Sequence, residues 1–376
     1  MSYKPIEYAD VAPGQWDEWV MMMENASHYH ARYWVDYCSE FPGIVENCSF
    51  VLQGDDKQSV AICPVAVSKD PISGDHELSF GGIPAGCPAI RACTPSFRRR
   101  VLDAVFSRLG EIARRHGVKT VKMAGHPLSV ACCSGASPSH WNSFEFLRYR
   151  MFYYVNNTLV IDTARPETEL TASLSKYHRR HINKARAGGF RCQVFDSKSE
   201  AGALDRHFQL FQEIHMKSAG RLTRPQSTWD AMLKAGREGK ASLFILSVGD
   251  RPASFLFCGE FSSMAFGWSQ ANDKDLEESH SLRHLLEWEA VLHYKSRGIR
   301  FYEVGERYHG PQLFYMPSPK EVTISEFKER YGGSPLPKVF WYGFCDQETL
   351  TRSINEKTAA LVANHPIVQF SQEEEQ

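Results

Sequence analysis

Residues 281–305 read SLRHLLEWEAVLHYKSRGIRFYEVG. Leu282, Leu285, Leu286 and Ala290 fall on one side of a helix, and IRFYEVG then gives a strand closing at Gly305. Upstream, LFILSVGDRPASFLFCG (243–259) is two apolar runs joined by a Gly-Asp turn. The same series occurs earlier. SFVLQGDDKQSVAICPVAV (49–67) carries the two runs and the turn. SFRRRVLDAVFSRLGEIARRH (96–116) places Val101, Leu102, Val105, Phe106, Leu109, Ile112 and Ala113 at helical spacing, with Gly117 as its stop. VKTVKMAG (118–125) is a strand ending in Gly125. Strand, turn, strand, amphipathic helix and strand therefore appear twice, which points to an internal duplication; chance similarity between two common units is the alternative.

The expected fold is α/β with mixed sheets in two halves. DTARPETELTASLSK (162–176) marks the boundary, because Arg165-Pro166 breaks regular structure and a new helix begins at Thr168. This gives domains 1–165 and 166–345, then a 346–376 segment holding a closing helix, Thr349 to Asn364, and the acidic tail SQEEEQ. VFWYGF (339–344) reads as a buried strand.

A chain of 376 residues with 43% hydrophobic residues buries a full core. Its 43 basic residues against 44 acidic ones exclude a nucleic-acid coat protein, so any polyanion is met locally. Ten cysteines without a C-x-x-C pair, after an opening MSYKPIEYADVAPGQW that lacks an apolar signal region, predict reduced thiols in a cytoplasm. The apolar runs are too short to span a bilayer.

Positive charge concentrates in SLSKYHRRHINKARAGGFR (173–191), which has no acidic residue. As a helix it places Leu174, Tyr177, His181, Ile182 and Ala185 on one face and Lys176, Arg179, Arg180, Asn183 and Arg186 on the other, ending at Gly188-Gly189. Such a face repels itself unless carboxylates elsewhere or a ligand's phosphates neutralise it. Both readings are open on charge alone: a solvated helix with counter-charges, or a clamp for phosphates suited to arginine's fork.

LSKYHRRHINKARAGGFRCQVF (174–195) resembles the start of the second domain in FemABX-type transferases and their GNAT-superfamily relatives, through Arg179, Ile182, Lys184, Ala185 and Gly189. LLEWEAVLHYKSRGIRFYEVG (285–305) is similar to that family's helix leading to a Gly-terminated strand, and TISEFKERYGG (323–333) to its late Phe-Lys motif. WDEWVMMMENASHYHARYW (16–34) is similar to its opening helix. The resemblance implies two tandem GNAT-like domains and an N-acyltransferase. Phe327 and Lys328 would border the reacting carbonyl, with the Lys328 ammonium stabilising charge on the acyl oxygen. Lys176, Arg179, Arg180 and Lys184 would meet the donor's phosphates.

Thr323 and Glu326 form a capping-box pattern for the helix carrying Lys328. FYEVGERYHG (301–310) offers Glu303, Glu306 and His309; alternation puts Glu303 on the face of Phe301 and Gly305, so it ranks first as proton acceptor for the attacking amine. The donor that the resemblance implies is acyl-coenzyme A, slightly favoured because the chain is not basic overall, or an aminoacyl-tRNA. The acceptor is an amine-bearing small molecule or a nucleotide-linked amine such as a UDP-sugar derivative. No Q/R-x-x-G-x-G/A loop and no long charged coiled-coil hairpin is present, which leaves the donor open. No tightly bound cofactor and no metal is expected: His28 with His30, and His178 with His181, lack further ligands at recognisable spacing. Two rivals are a non-catalytic binding module, which requires Lys328 exposed and far from any cleft, and a hydrolase built on Ser269 in GWSQA, which requires a histidine at that hydroxyl.

Overall fold

The structure, a computed structural model, describes residues 3–135, 144–276 and 281–364; the expected acidic tail lies outside them. In the first half the strands are β1 (Lys4–Glu7), β2 (Ile44–Asn47), β3 (Phe50–Gln53), β4 (Ser59–Cys63), β5 (Ala66–Lys69), β6 (His76–Leu78), β7 (Ala85–Gly86), β8 (Ala89–Ile90), β9 (Thr120–Gly125) and β10 (Phe152–Asp162). The second half adds β11 (Arg191–Phe195), β12 (Ala241–Val248), β13 (Arg251–Phe261), β14 (Met264–Asn272), β15 (Phe301–Arg307) and β16 (Ser334–Phe344). The mixed sheets expected from the sequence are present. One has the order β1-β3-β4-β8, and the other runs β11-β12-β13-β14-β15-β10-β16-β9-β6-β5-β2, with β7 also on β9.

Both hairpins form as their Gly-Asp turns require, β3 with β4 and β12 with β13. Both amphipathic helices form as well. Pro95–His116 has Gly117 in the left-handed conformation at its end, and Leu282–Ser296 buries Leu282, Leu285, Leu286 and Ala290. Each half exchanges its last strand with the other: β10 lies between β15 and β16, and β16 pairs with β9. The large sheet is therefore continuous across the join between the halves.

The parallel pair β14/β15 is joined only over Met264–Phe266 and Phe301–Glu303, while β14 continues to Asn272. From Gly267 onward the two strands part. A second irregularity sits beside the split: Leu159 of β10 faces Gly305, but Val160 faces Glu303, so Val304 is bulged out of register. In a regular strand residues 303 and 306 face opposite sides; one inserted residue turns both toward the same side.

The opening helix of the sequence reading is interrupted. Helix Pro13–Met22, a 3₁₀ turn His28–His30 and helix Arg32–Ser39 replace it, with His28, Tyr29 and His30 all buried. The helix carrying Lys328 starts earlier than expected, at Pro319–Glu329. Its capping box is Ser318 with Glu321, and Thr323 instead donates its hydroxyl back to the Pro319 carbonyl at 3.0 Å. Proline at the first helical position favours that earlier start. Ser318→Ala should therefore cost about 1 kcal/mol of stability, whereas Thr323→Ala should change it by less than about 0.5 kcal/mol, as read from urea denaturation midpoints.

Candidate active site

The basic helix forms at Lys176–Ala187 with Ser175 as its cap. Its buried face is Leu174, His178, Ile182 and Ala185, so His178 turns inward and Tyr177, expected on the apolar face, is exposed. His178 packs on aromatic neighbours that fix this rotation: His284 at 4.6 Å, Tyr331 at 4.5 Å and Phe327 at 4.9 Å between ring centres. Burial, together with the neighbouring His284, Arg330 and His181, lowers the His178 pKa to about 3, and burial lowers His284 to about 4. Both rings are neutral, and the charge on this helix is that of its lysines and arginines. Arg186 reaches Glu289 at 2.8 Å; among the described residues no carboxylate pairs with Lys176, Arg179 or Arg180.

Phe327 belongs to this histidine cluster, and Lys328, one position on, turns into a cavity of about 430 Å³ at the join of the two halves. Glu303 lines the same cavity. The structure thus brings Lys328 and Glu303 together, places Phe327 behind them rather than in the cavity wall, and leaves Lys176, Arg179, Arg180 and Lys184 outside it. Successive helical positions point about 100° apart, so Phe327 and Lys328 serve different neighbours.

Gly305 explains where the ammonium rests. Its φ is +119°, and a Cβ there would collide with Lys328 Nζ. Absence of a side chain lets the ammonium lie against the strand at the split. On the opposite side Phe266 covers Gly259, its cross-strand partner, so closely that a Cβ on Gly259 would enter the ring. That contact holds the phenyl ring as a wall of the cavity.

Glu303 is 6% exposed and accepts two hydrogen bonds, from Thr158 Oγ1 at 2.5 Å and His126 Nε2 at 3.0 Å. The backbone N–H of Leu128 donates to His126 Nδ1 at 3.2 Å, so the His126 proton sits on Nε2. Burial favours the neutral acid at Glu303, but His126, Lys338 and His28 outweigh it and hold the carboxyl well below the usual range. The sign for stability follows. A depressed folded-state value contributes fully above the unfolded value of about 4.3 and is lost as pH falls below it. Melting curves from about pH 6 to about pH 3 should therefore fall more steeply for the wild type than for Glu303→Gln, the two converging in acid.

Glu306, turned inward by the bulge, accepts from Lys338 Nζ at 2.6 Å and from the Tyr308 hydroxyl. Lys338 is 5% exposed, with its ammonium 5.3 Å from the ring centres of Tyr29 and Phe340. Burial opposes its charge, but Glu306, Tyr29 and Glu303 raise its pKa well above normal. His28 also lines the cavity; burial and the adjacent His126 push its pKa well down, and its Nδ1 has no hydrogen-bond partner among the described residues.

His28, His126 and Glu303 bring ligand-capable atoms within 4.8 Å of one another. A metal on His126 Nε2 would need the proton moved to Nδ1, where the Leu128 N–H points. The cluster fits a hydrogen-bonded network better than a metal centre. Ser269 is in β14 and accepts from Arg224 Nη2 at 3.2 Å; among the described residues no histidine bonds to it, so the hydrolase reading lacks its base. Lys328 in the cavity removes the premise of the non-catalytic module.

His126 and Lys338 went unread in the sequence, though each leaves a trace there. His126 follows the strand-closing Gly125 as Glu306 follows Gly305, so the repeated series of elements sets them at matching positions. Lys338 stands at even spacing with Leu336 and Phe340 in an otherwise apolar strand.

With this geometry in place, the comparisons are consistent. Residues 172–311 match the family described as Acetyltransferase (GNAT) domain. No curated protein matches the sequence. Among solved structures, FemX is similar over 93% of this chain and 99% of its own, with TM-score 0.65 and 11% identity. The C-terminal domain of a putative lysylphosphatidylglycerol synthetase from Agrobacterium fabrum covers 93% and 98% with TM-score 0.54 and 11% identity. A tandem GNAT protein from the clavulanic acid biosynthesis pathway covers 92% and 98% with TM-score 0.50 and 14% identity. Residues 172–311 thus match a GNAT domain, and the chain as a whole is similar in fold to FemX and to a tandem GNAT protein.

Proposed function

We propose that the chain is an N-acyltransferase that joins an activated acyl group, carried by coenzyme A, to a small amine. The observation that carries this reading is the Lys328 ammonium resting against Gly305 where β14 and β15 part. The edge of β14 beyond Phe266 has no strand partner on that side among the described residues, so an extended, amide-bearing arm can pair with its backbone. This supports a pantetheine thioester over a ribose-phosphate end. Lys176, Arg179, Arg180 and Lys184 would meet the donor's phosphates.

Charge in the cavity supports an amine acceptor: Lys328 and Lys338 face Glu303, Glu306 and Glu321, so an incoming ammonium restores balance. Held ionised by its partners, Glu303 is a weak base, and its part is to bind and orient the nitrogen. The amine attacks the carbonyl carbon, Lys328 stabilises the oxyanion, and the carbon–sulfur bond breaks. The bound ammonium first gives up one proton, for which the free Nδ1 of neutral His28 is placed and which passes on to solvent, and the second proton, shed by nitrogen after attack, ends on the departing sulfur. No resident cofactor or metal enters these steps, and the unpaired thiols support a cytoplasmic setting.

A second reading replaces acyl-coenzyme A by an aminoacyl-tRNA. The exposed cations of the basic helix favour it, as does the resemblance in fold to a protein named for lysylphosphatidylglycerol synthesis. Purified protein with a panel of acyl-coenzyme A thioesters and charged tRNAs, with and without amines, distinguishes the two. Amine-dependent thiol release supports the first reading. Deacylation of tRNA with coenzyme A thioesters untouched moves the second ahead, and consumption of neither overturns both.

A further inference from the structure

A second cavity, of about 720 Å³, opens on the first half and is lined by Pro95, Ser96, Arg99, Arg100, Arg148 and Tyr149, among others. It lies between the start of the helix Pro95–His116 and the 3₁₀ segment Phe144–Tyr149. The one carboxylate among its described lining residues, Glu145, is taken by Arg98 at 2.9 Å. Among the described residues no ion pair involves Arg99, Arg100 or Arg148, and all three are exposed. In a chain whose formal net charge is -1, this concentrates unneutralised arginine in one place.

Apolar side chains are exposed beside it. Phe144 is 44% exposed, Leu147 50% and Tyr153 43%, with the Phe144 and Tyr153 rings 5.1 Å apart on Trp341. The backing is rigid: Tyr149 stacks on Phe106 at 3.8 Å and donates to Asp103, while Phe146 is buried against Trp341. A firm base presenting arginine forks beside exposed aromatic and aliphatic side chains has the two requirements of a membrane interface. The arginines meet phosphates and the apolar groups enter the acyl boundary.

We propose that this face docks the protein on an anionic phospholipid bilayer, with lipid phosphates in the arginine-lined cavity. A soluble phosphate ligand would use the arginines and leave Phe144 and Leu147 without a role, which is why the bilayer is favoured. The inference rests on these residues alone and not on the acyl-transfer reading.

Flotation of the full chain with vesicles of phosphatidylcholine, with and without phosphatidylglycerol, tests it. Binding is expected only with phosphatidylglycerol, and it should weaken with added salt. Arg99→Gln, Arg100→Gln and Arg148→Gln together should lower partitioning on the order of a hundredfold. Phe144→Ser with Leu147→Ser should also lower it, with melting temperatures retained because all five sites are at the surface. Substituting Lys176, Arg179 and Arg180 instead should leave vesicle binding in place. Failure to bind phosphatidylglycerol vesicles overturns the proposal. So does binding that survives the arginine substitutions, or binding of inorganic pyrophosphate at these arginines with none to vesicles.

Discussion

Lys328→Ala is expected to lower kcat by about 10² to 10³, with the donor KM and the melting temperature nearly unchanged. The magnitude is that of removing one preorganised donor from a developing oxyanion. The selectivity for kcat follows because the ammonium meets charge that is greatest in the transition state. Gly305→Ala offers an independent route to the same loss. A methyl group there displaces Lys328 Nζ and is strained at φ +119°. The two substitutions act on one ammonium, so the double variant should be little slower than Lys328→Ala alone. A kcat loss for Gly305→Ala that multiplies with that of Lys328→Ala would show that the glycine matters for another reason.

Lys338→Met is expected to destabilise the fold by about 3 to 5 kcal/mol in denaturant unfolding. The cost comes from Glu306, left ionised and buried without its 2.6 Å partner. Burial works against that charge, while Lys338 and the Tyr308 hydroxyl hold the carboxyl below its ordinary range. Glu306→Gln in the Lys338→Met background should recover much of the loss, since a neutral amide no longer demands a cation. Failure of the second substitution to recover stability would assign the damage to lost packing against Tyr29 and Phe340.

Both expectations concern residues whose sequence signals differ in kind. Lys328 was read only through the resemblance carried by TISEFKERYGG, since a helical lysine taken by itself reads as solvent-facing. The hairpins and the two amphipathic helices were legible from the residues themselves, since turn chemistry and helical spacing are properties of neighbours in the chain. The exchange of β10 and β16 was not, because it is a choice between partners roughly two hundred positions apart that periodicity does not encode. The bulge at Val304 was equally hidden. Alternation put Glu303 on the face of Gly305, and only the pairing with Leu159 and Val160 reveals the shift that brings Glu306 to the face of Glu303 instead. The inward turn of His178 was not read, and Tyr177 was placed on the apolar face instead, because the aromatic neighbours that fix the helix's rotation are distant in the chain.

Catalysis as proposed requires an acyl carbonyl to reach Lys328 along the edge of β14 that is unpaired among the described residues. The most direct test is a crystal structure with a ketone analogue of acyl-coenzyme A, in which a methylene replaces the thioester sulfur. The account predicts the arm paired with the backbone beyond Phe266, its carbonyl oxygen within hydrogen-bond reach of Lys328 Nζ and its phosphates toward Lys176, Arg179 and Arg180. An analogue bound elsewhere, or a carbonyl out of reach of Lys328 with the cavity between Glu303 and Phe266 unused, would contradict it.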